Sequence, residues 1–270
     1  FICPEDYIYI LADYSQIEIR ITAHYSKDPL LLEAYRLGQD VHTRTMSEVF
    51  GVDYDLAVEI LSNKKNPRYE EVSTLRTVCK IVNFGVIYGV SPMGLSEQIP
   101  RPAKYANASE EEWVEVCTQY VEDYFEKYQG VKRFVDKYSY LAKKQAFVET
   151  HFGRIRHLPE VNAVAILGDR QKYWMEKKAQ RQGVNVMIQG SAADLFKIAL
   201  VRINKMLREG NYKTRLVNTV HDEVQFYLHK DEKFLLAKIR EYMEDFDFAV
   251  PIVADFSYSK TSWAQKQDLK

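Results

Sequence analysis

Cysteine is scarce. The 270 residues include three, Cys3, Cys79 and Cys117, an odd number spread widely, with neither zinc-ligand spacing nor the makings of a disulfide framework. A reducing compartment suits such a chain. No signal-peptide pattern stands at Phe1, and no apolar run approaches the roughly 18 residues of a membrane helix, so no membrane partner is expected. Internal repeats and low-complexity segments are missing. The chain also lacks an initial Met, as expected of part of a longer polypeptide. An excess of charge of one sign is missing too: 37 Lys and Arg face 38 Asp and Glu, a formal net charge of −1. With 46% hydrophobic and 28% charged residues, the chain falls in the soluble globular class and can bury one large core or two smaller ones.

The near-neutral total hides blocks. Lys132 to Arg181 holds twelve basic and five acidic residues, whereas Ser109 to Glu126 holds seven acidic and no basic ones. A chain of this kind can present a positive channel while staying neutral overall.

The most informative stretch is Arg76 to Val90, RTVCKIVNFGVIYGV. Arg76, Lys80, Phe84 and Tyr88 recur every four residues, which on a helix makes one slowly drifting stripe of two cations, an aromatic ring and a phenol. Val78, Ile81, Val82, Val86 and Ile87 suit burial on the other side. Gly85 and Gly89 each cost about 1 kcal/mol in a helix interior, so the spacing predicts a close backbone approach or a bend there.

Elsewhere, Tyr7 to Ala12 reads as a strand that delivers Asp13 to a sheet edge. Ser15 and Glu18 then stand at capping-box spacing before a helix through Tyr25. Helices are expected over Pro29–Leu37, His42–Phe50, Glu110–Tyr128 and Val131–Gln145, and within the polar stretch Asp53–Val72 a loop holds Asn63, Asn66 and Pro67. A short strand over Phe147–Thr150 leads into a basic turn to Arg156. Asp169–Lys205 reads as helix broken near Gly183 and Gly190, with Arg181, Asn185 and Gln189 again four apart. Thr214–Leu228 reads as a hairpin tipped by His221, Asp222 and Glu223. A helix over Lys233–Phe246 and a strand over Val250–Phe256 finish the chain. From the residues alone, Asp13 could serve only as a helix cap and the acidic tip only as a solvated turn.

Together these segments resemble family A DNA polymerases. Asp13-Tyr14-Ser15-Gln16-Ile17-Glu18-Ile19-Arg20 looks like motif A, Arg76 to Gly89 like motif B, and His221-Asp222-Glu223 like motif C. Secondary matches lie at His42, at Phe152-Gly153-Arg154 and at Gln189 to Asp194. The resemblance covers essentially the whole chain. It implies an α+β, right-hand architecture with an antiparallel-sheet palm at 1–35 and 166–270 and helical fingers at 36–165. The motif B helix is expected over about 74–90, and thumb and exonuclease domains are expected to be absent.

The activity implied is template-directed DNA synthesis, adding dNTPs to a primer 3′-hydroxyl with two Mg²⁺ ions that Mn²⁺ can replace. Primer–template DNA and a dNTP are the implied partners, and the location is cytoplasmic in a bacterial or phage-like source, or organellar. By resemblance Asp13, Asp222 and the Tyr14 carbonyl hold metal, with Glu223 auxiliary. Arg76, Lys80 and His42 grip phosphates, and Lys80 also donates a proton to pyrophosphate. Phe84, Tyr88, Tyr14, Gln16 and Glu18 surround the nucleotide, Glu18 filling the space of a 2′-hydroxyl. Arg181, Asn185, Gln189 and His221 touch DNA. Thr219, where relatives often carry Gln, and a longer loop before Arg76 depart from the pattern. A single-subunit RNA polymerase, a metal-dependent nuclease and a non-catalytic DNA-binding fragment are the competing readings. Glu18 opposes the first, and the stripe from Arg76 to Tyr88 has no role in the second.

Overall fold

The structure, a computed structural model, describes residues 2–163 and 168–269. In chain order the main elements are β1 (Tyr7–Tyr14), α1 (Ile17–Ser26), α2 (Pro29–Arg36), α3 (Val41–Phe50), α4 (Tyr54–Ser62), α5 (Tyr69–Ile87) and α6 (Pro92–Ser96). There follow α7 (Glu110–Lys127), α8 (Gln129–Gln145), β2 (Phe147–Glu149), β3 (Ile155–His157), α9 (Glu160–Ala163) and α10 (Asp169–Asn185). A π-helical turn (Val186–Gly190) leads to α11 (Ser191–Glu209), β4 (Arg215–Val220), β5 (Glu223–His229), α12 (Leu235–Glu244), β6 (Ala254–Ser259) and β7 (Gln267–Asp268). The α+β class expected from sequence is what forms.

Two compact units divide these elements, one made of 1–21, 150–153 and 188–270, the other of 22–149 and 154–187. Their limits fall at Ile21 and Met187, against 35 and 165 expected from sequence. The first unit is built on an antiparallel sheet in the order β4-β5-β1-β6-β7. β1 sits at its centre because both of its faces are apolar: Tyr9, Ile10, Leu11 and Ala12 are all buried. From α11, Leu195, Ala199, Ile203 and Leu207 are buried, and from α12, Leu235, Ile239 and Met243, each set at helical spacing. The segment 150–153 belongs here through two bonds: Thr150 Oγ1 donates to Asp194 Oδ2 at 2.7 Å, and the His151 N–H donates to Ser191 Oγ at 3.0 Å.

The second unit is helical apart from the β2–β3 ribbon. Trp113, Tyr120, Tyr124, Tyr128 and Phe134 are buried in it and Tyr138 is half-buried, so these aromatics at helical spacing are packing, whereas Tyr140 of α8 is exposed. Gly183 marks no break in α10: a Cβ there would stand 2.4 Å from Ala142 Cβ, so the glycine lets α10 approach α8 closely.

The Asn63–Pro67 turns lie where the sequence placed a loop, but the polar stretch before them holds a helix that sequence reading missed, α4 at Tyr54–Ser62, with the Asp53 side chain accepting from the Leu56 N–H at 2.9 Å as its cap. The last long strand is Ala254–Ser259 rather than Val250–Phe256, its register set by pairing with β1. The helical stretch Arg170–Glu209 is long and apolar enough to cross a membrane by length and composition alone. It also carries Asn185, Gln189, Asp194 and Lys197, and its buried Val184, Ile188, Ser191, Leu195 and Ala199 recur as in a helix packed on protein.

Candidate active site

In the sheet unit the pairing of β1 with β5 places Asp13 directly opposite Glu223, and the tight turn at His221 and Asp222 holds Asp222 beside them. His221 has φ 56°, a left-handed conformation that lets a two-residue turn join the twisted strands. A register shift between Leu216 and Asn218 bulges β4 just before that turn. Asp13 is open to solvent. Its carboxyl is nevertheless pushed up to about 6, first by desolvation and then by the charges of Asp222 and Glu223, with Lys266 opposing.

Glu223 is differently placed. It is buried, one oxygen accepts from Gln225 Nε2 at 2.5 Å, and the other stands 3.6 Å from Lys266 Nζ. Gln225 Oε1 in turn accepts from Tyr9 Oη at 2.5 Å and from Asn218 Nδ2 at 3.1 Å. Glu223 is thus committed to the protein, whereas Asp13 is exposed and Asp222 half-buried beside it. Asp255 is opposite Asp13 on its other side, a neighbour that sequence reading missed because the pairing joins distant parts of the chain. Among the described residues no three His, Cys, Asp or Glu side chains form a ready metal cluster.

After Asp13 the chain turns sharply. Tyr14 is buried with its hydroxyl donating to the Met243 carbonyl at 2.8 Å. Gln16 has φ 52°, a strain a non-glycine residue bears only where its surroundings fix it. Here Arg20 fixes it, donating to the Ser15 and Pro251 carbonyls, each at 2.7 Å. Glu18 emerges in the first turn of α1, where Gln189 Nε2 reaches its Oε1 at 3.5 Å.

In the helical unit α5 presents the expected stripe. Arg76, Phe84 and Tyr88 are half-buried and Lys80 is exposed, while Val78, Val82, Val86 and Ile87 are buried. Ile81 is only half-buried, and Cys79 and Asn83 are buried instead. The helix stops at Ile87, so Gly89 lies outside it. Its φ of 62° and the bonds Val90 N–H to Gly85 C=O (2.9 Å) and Gly89 N–H to Val86 C=O (3.2 Å) make a Schellman cap. A Cβ on Gly89 would meet Arg181 Cγ at 2.8 Å, so the stem of Arg181 lies across it. Asn185, one turn further along α10, has its Oδ1 buried without a hydrogen-bond partner.

Arg76 is held by a residue that sequence reading passed over. Its Nε donates to Asp40 Oδ1 and its Nη2 to Asp40 Oδ2, each at 3.0 Å, a bidentate pair. Asp40 also caps α3 through the Thr43 N–H at 2.8 Å. His42 is buried and packs its ring 5.8 Å from that of Phe84. Burial pulls its pKa down to about 4, with Arg76 and Lys80 adding and Asp40 opposing, so the ring is neutral at pH 7. Its Nδ1 meets Asn83 Nδ2 at 3.2 Å, and Asn83 Nδ2 also donates to Thr45 Oγ1 at 3.0 Å. Thr45 Oγ1 also lies 2.9 Å from the Val41 carbonyl, 3.2 Å from Asn83 Oδ1 and 3.1 Å from Tyr128 Oη. With Asn83 Nδ2 as donor, His42 Nδ1 accepts and the neutral ring carries its proton on Nε2.

The chain is 35% identical over 265 residues to DNA polymerase I of Streptococcus pneumoniae serotype 4, covering 97% of this chain and 27% of that protein. It is 37% identical over 231 residues to DNA polymerase I of Pseudomonas aeruginosa, covering 86% and 22%. The chain thus spans about a quarter of the length of the curated relatives it matches. Among solved structures, the POL domain of Pol1 from M. smegmatis, in complex with DNA primer-template and dNTP, superposes with a TM-score of 0.77 at 31% identity, covering 97% of this chain and 41% of that one. The family model for DNA polymerase family A matches residues 1–265, and the chain belongs to that family.

Proposed function

We propose that this chain provides the palm and fingers of a DNA-directed DNA polymerase that adds dNTPs to a primer 3′-hydroxyl on a DNA template. One observation carries the reading: the pairing of Asp13 with Glu223 brings Asp222, in the adjoining turn, beside Asp13 from the opposite end of the chain, and desolvation followed by the charge of Asp222 raises Asp13. Like charges held together call for a cation, and hard carboxylate oxygens suit Mg²⁺, which keeps waters and phosphate oxygens as its other ligands. Asp13, Asp222 and the Tyr14 carbonyl would hold two such ions, with Mn²⁺ able to replace them. When bound they supply neutralisation of the triphosphate and a lowered pKa for the attacking hydroxyl.

The rest falls to side chains. Arg76 and Lys80 bind the β- and γ-phosphates, Arg76 exchanging one anion, Asp40, for another. His42, neutral and protonated on Nε2, donates a hydrogen bond to phosphate. Lys80 gives a proton to the leaving pyrophosphate. Phe84 packs on the incoming sugar and base, with Tyr88 beside the templating base and Gln16 near the nucleotide. Glu18, steadied by Gln189, takes the place of a ribose 2′-hydroxyl and selects deoxynucleotides. Arg181, Asn185, Gln189 and His221 contact primer–template, Asn185 with an oxygen still lacking a partner. The working protein is a longer cytoplasmic polypeptide with a thumb.

Primer extension with Mg²⁺ tests the reading. Asp222→Ala removes a charge without touching the core, so extension should vanish while the melting temperature stays or rises. Extension at the wild-type rate would sink the assignment. Lys80→Ala should lower kcat far more than it weakens DNA binding, and rNTP incorporation should rise in Glu18→Ala.

A further inference from the structure

The line on α10 that contains Arg181 and Asn185 begins two turns earlier. Tyr173, Lys177, Arg181 and Asn185 are spaced by four, a track of about 18 Å at 1.5 Å per residue. Trp174 adjoins its first member, the two rings lying 5.7 Å apart at 77°, and Lys177 Nζ stands 5.7 Å from the Tyr173 ring centroid. Both rings face solvent, Tyr173 55% and Trp174 57% exposed, whereas Trp113 in the same unit is wholly buried. Single exposed aromatics are ordinary; an adjacent pair set among cations is a surface suited to a flat, anionic partner. The rings line a groove of about 350 Å³ with Ile87, Val135, Lys177 and Arg181. Glu176, an acid on the same helix, is paired with Lys143 at 2.9 Å, so it does little to cancel the positive field.

We infer that Tyr173 and Trp174 form a stacking platform for unpaired DNA bases, continuing the DNA track from Arg181 by two helical turns. The occupant is the single-stranded part of the template. Bases inside a duplex already have both faces stacked and offer nothing to these rings, whereas unpaired bases stack on aromatics whatever their identity. A second copy of this chain is the poorer fit, because it would bring the Lys177 and Arg181 cations of two molecules together. The inference rests on the proposed DNA contacts of Arg181 and Asn185.

Trp174 is its own reporter. In a Trp263→Phe background, the remaining tryptophan besides Trp174 is the buried Trp113. The protein is titrated with a primer–template carrying an oligothymidine 5′ overhang and with the same duplex made blunt. The overhang should quench Trp174 fluorescence and the blunt duplex should not. By anisotropy of labelled DNA, Trp174→Ala and Tyr173→Ala should each weaken overhang binding by about 5-fold or more, the low end of one lost base stack, and leave blunt-duplex affinity unchanged. Unchanged circular dichroism and melting temperature show that both variants fold. Equal quenching by blunt and overhang DNA, or variants that bind overhang DNA as tightly as wild type, would overturn the platform alone. Failure to bind either DNA would overturn it together with the DNA contacts on which it rests. A dimer in sedimentation that Trp174→Ala dissociates would assign the surface to a second copy instead.

Discussion

In the sheet unit Asp13, Asp222 and Glu223 stand together with Lys266 the nearby cation, and the carboxyl of Asp13 is pushed up to about 6. In the helical unit the corresponding charges are settled: Arg76 is matched by the bidentate Asp40, and His42 is kept neutral inside a hydrogen-bonded cage. One unit holds an excess of like charge that ligand can relieve; the other holds cations prepared to trade partners. At the acidic turn the charges proposed to bind cations weigh against folding, whereas at α5 the Arg76–Asp40 pair supports the fold and would be given up to bind phosphate.

The largest break in this contrast comes from Asp13→Asn. Extension should fall by on the order of 10³-fold or more, measured by primer extension, since a proposed metal ligand is lost. Stability should move the other way. Because Asp13 titrates at about 6 in the folded protein and at 3.8 ordinarily, its ionisation weighs against folding progressively as pH rises through that interval and stays unfavourable above it. The variant should therefore melt higher at pH 8 and lose its advantage below pH 4, as scanning fluorimetry across pH would show. Added Mg²⁺ should raise the wild-type melting temperature more than that of the variant.

On the helical side, Asn83→Leu leaves His42 and Thr45 without their partner. Urea unfolding should show a loss of about 1–3 kcal/mol. His42 carries the opposite pH signature to Asp13. With a folded pKa near 4 against 6.5 ordinarily, its contribution is whole above 6.5 and drains away as pH falls to 4. That acid loss should shrink in Asn83→Asp, whose carboxylate would stabilise the charged ring, and two-dimensional NMR of the imidazole nitrogens should show Nε2–H give way to a doubly protonated ring. Smaller again is Gly89→Ala, where the left-handed backbone costs about 1–2 kcal/mol and the Arg181 stem must move aside. Asp53→Ala removes the cap of α4 for about 1 kcal/mol and should leave extension untouched, the control that neither unit's chemistry depends on that helix.

The sequence conveyed the parts with strong local periodicity. β1 and the hairpin were legible from the apolar runs of Tyr7–Ala12 and Val224–Leu228, and α5, α7 and α8 from apolar residues at helical spacing. α4 was not, because it buries only Ala57 and Ile60, too little pattern against the turn residues around it. The catalytic candidates were readable because each motif is contiguous. Their supporting partners were not: Asn83 meets His42 across 41 positions and Asp40 meets Arg76 across 36, separations at which local patterning carries no information. Gly89 reads in the sequence both as a cost inside the helix and, with Val90, Ser91 and Pro92, as its close; the backbone bears out the close.

Asp28 shows what such distant partnerships allow. Its Oδ1 accepts from the Leu30 N–H at 3.1 Å, and its Oδ2 from the Gly130 N–H at 2.7 Å, so one buried carboxylate starts both α2 and α8. No side chain fits at Gly130, where a Cβ would come 2.7 Å from the Asp28 backbone. Roughly a hundred residues are thereby fastened into a closed circuit at a single knot. Length added inside the circuit, for example at the mostly exposed turn around Asn63 to Pro67, could swell outward without shifting either helix start.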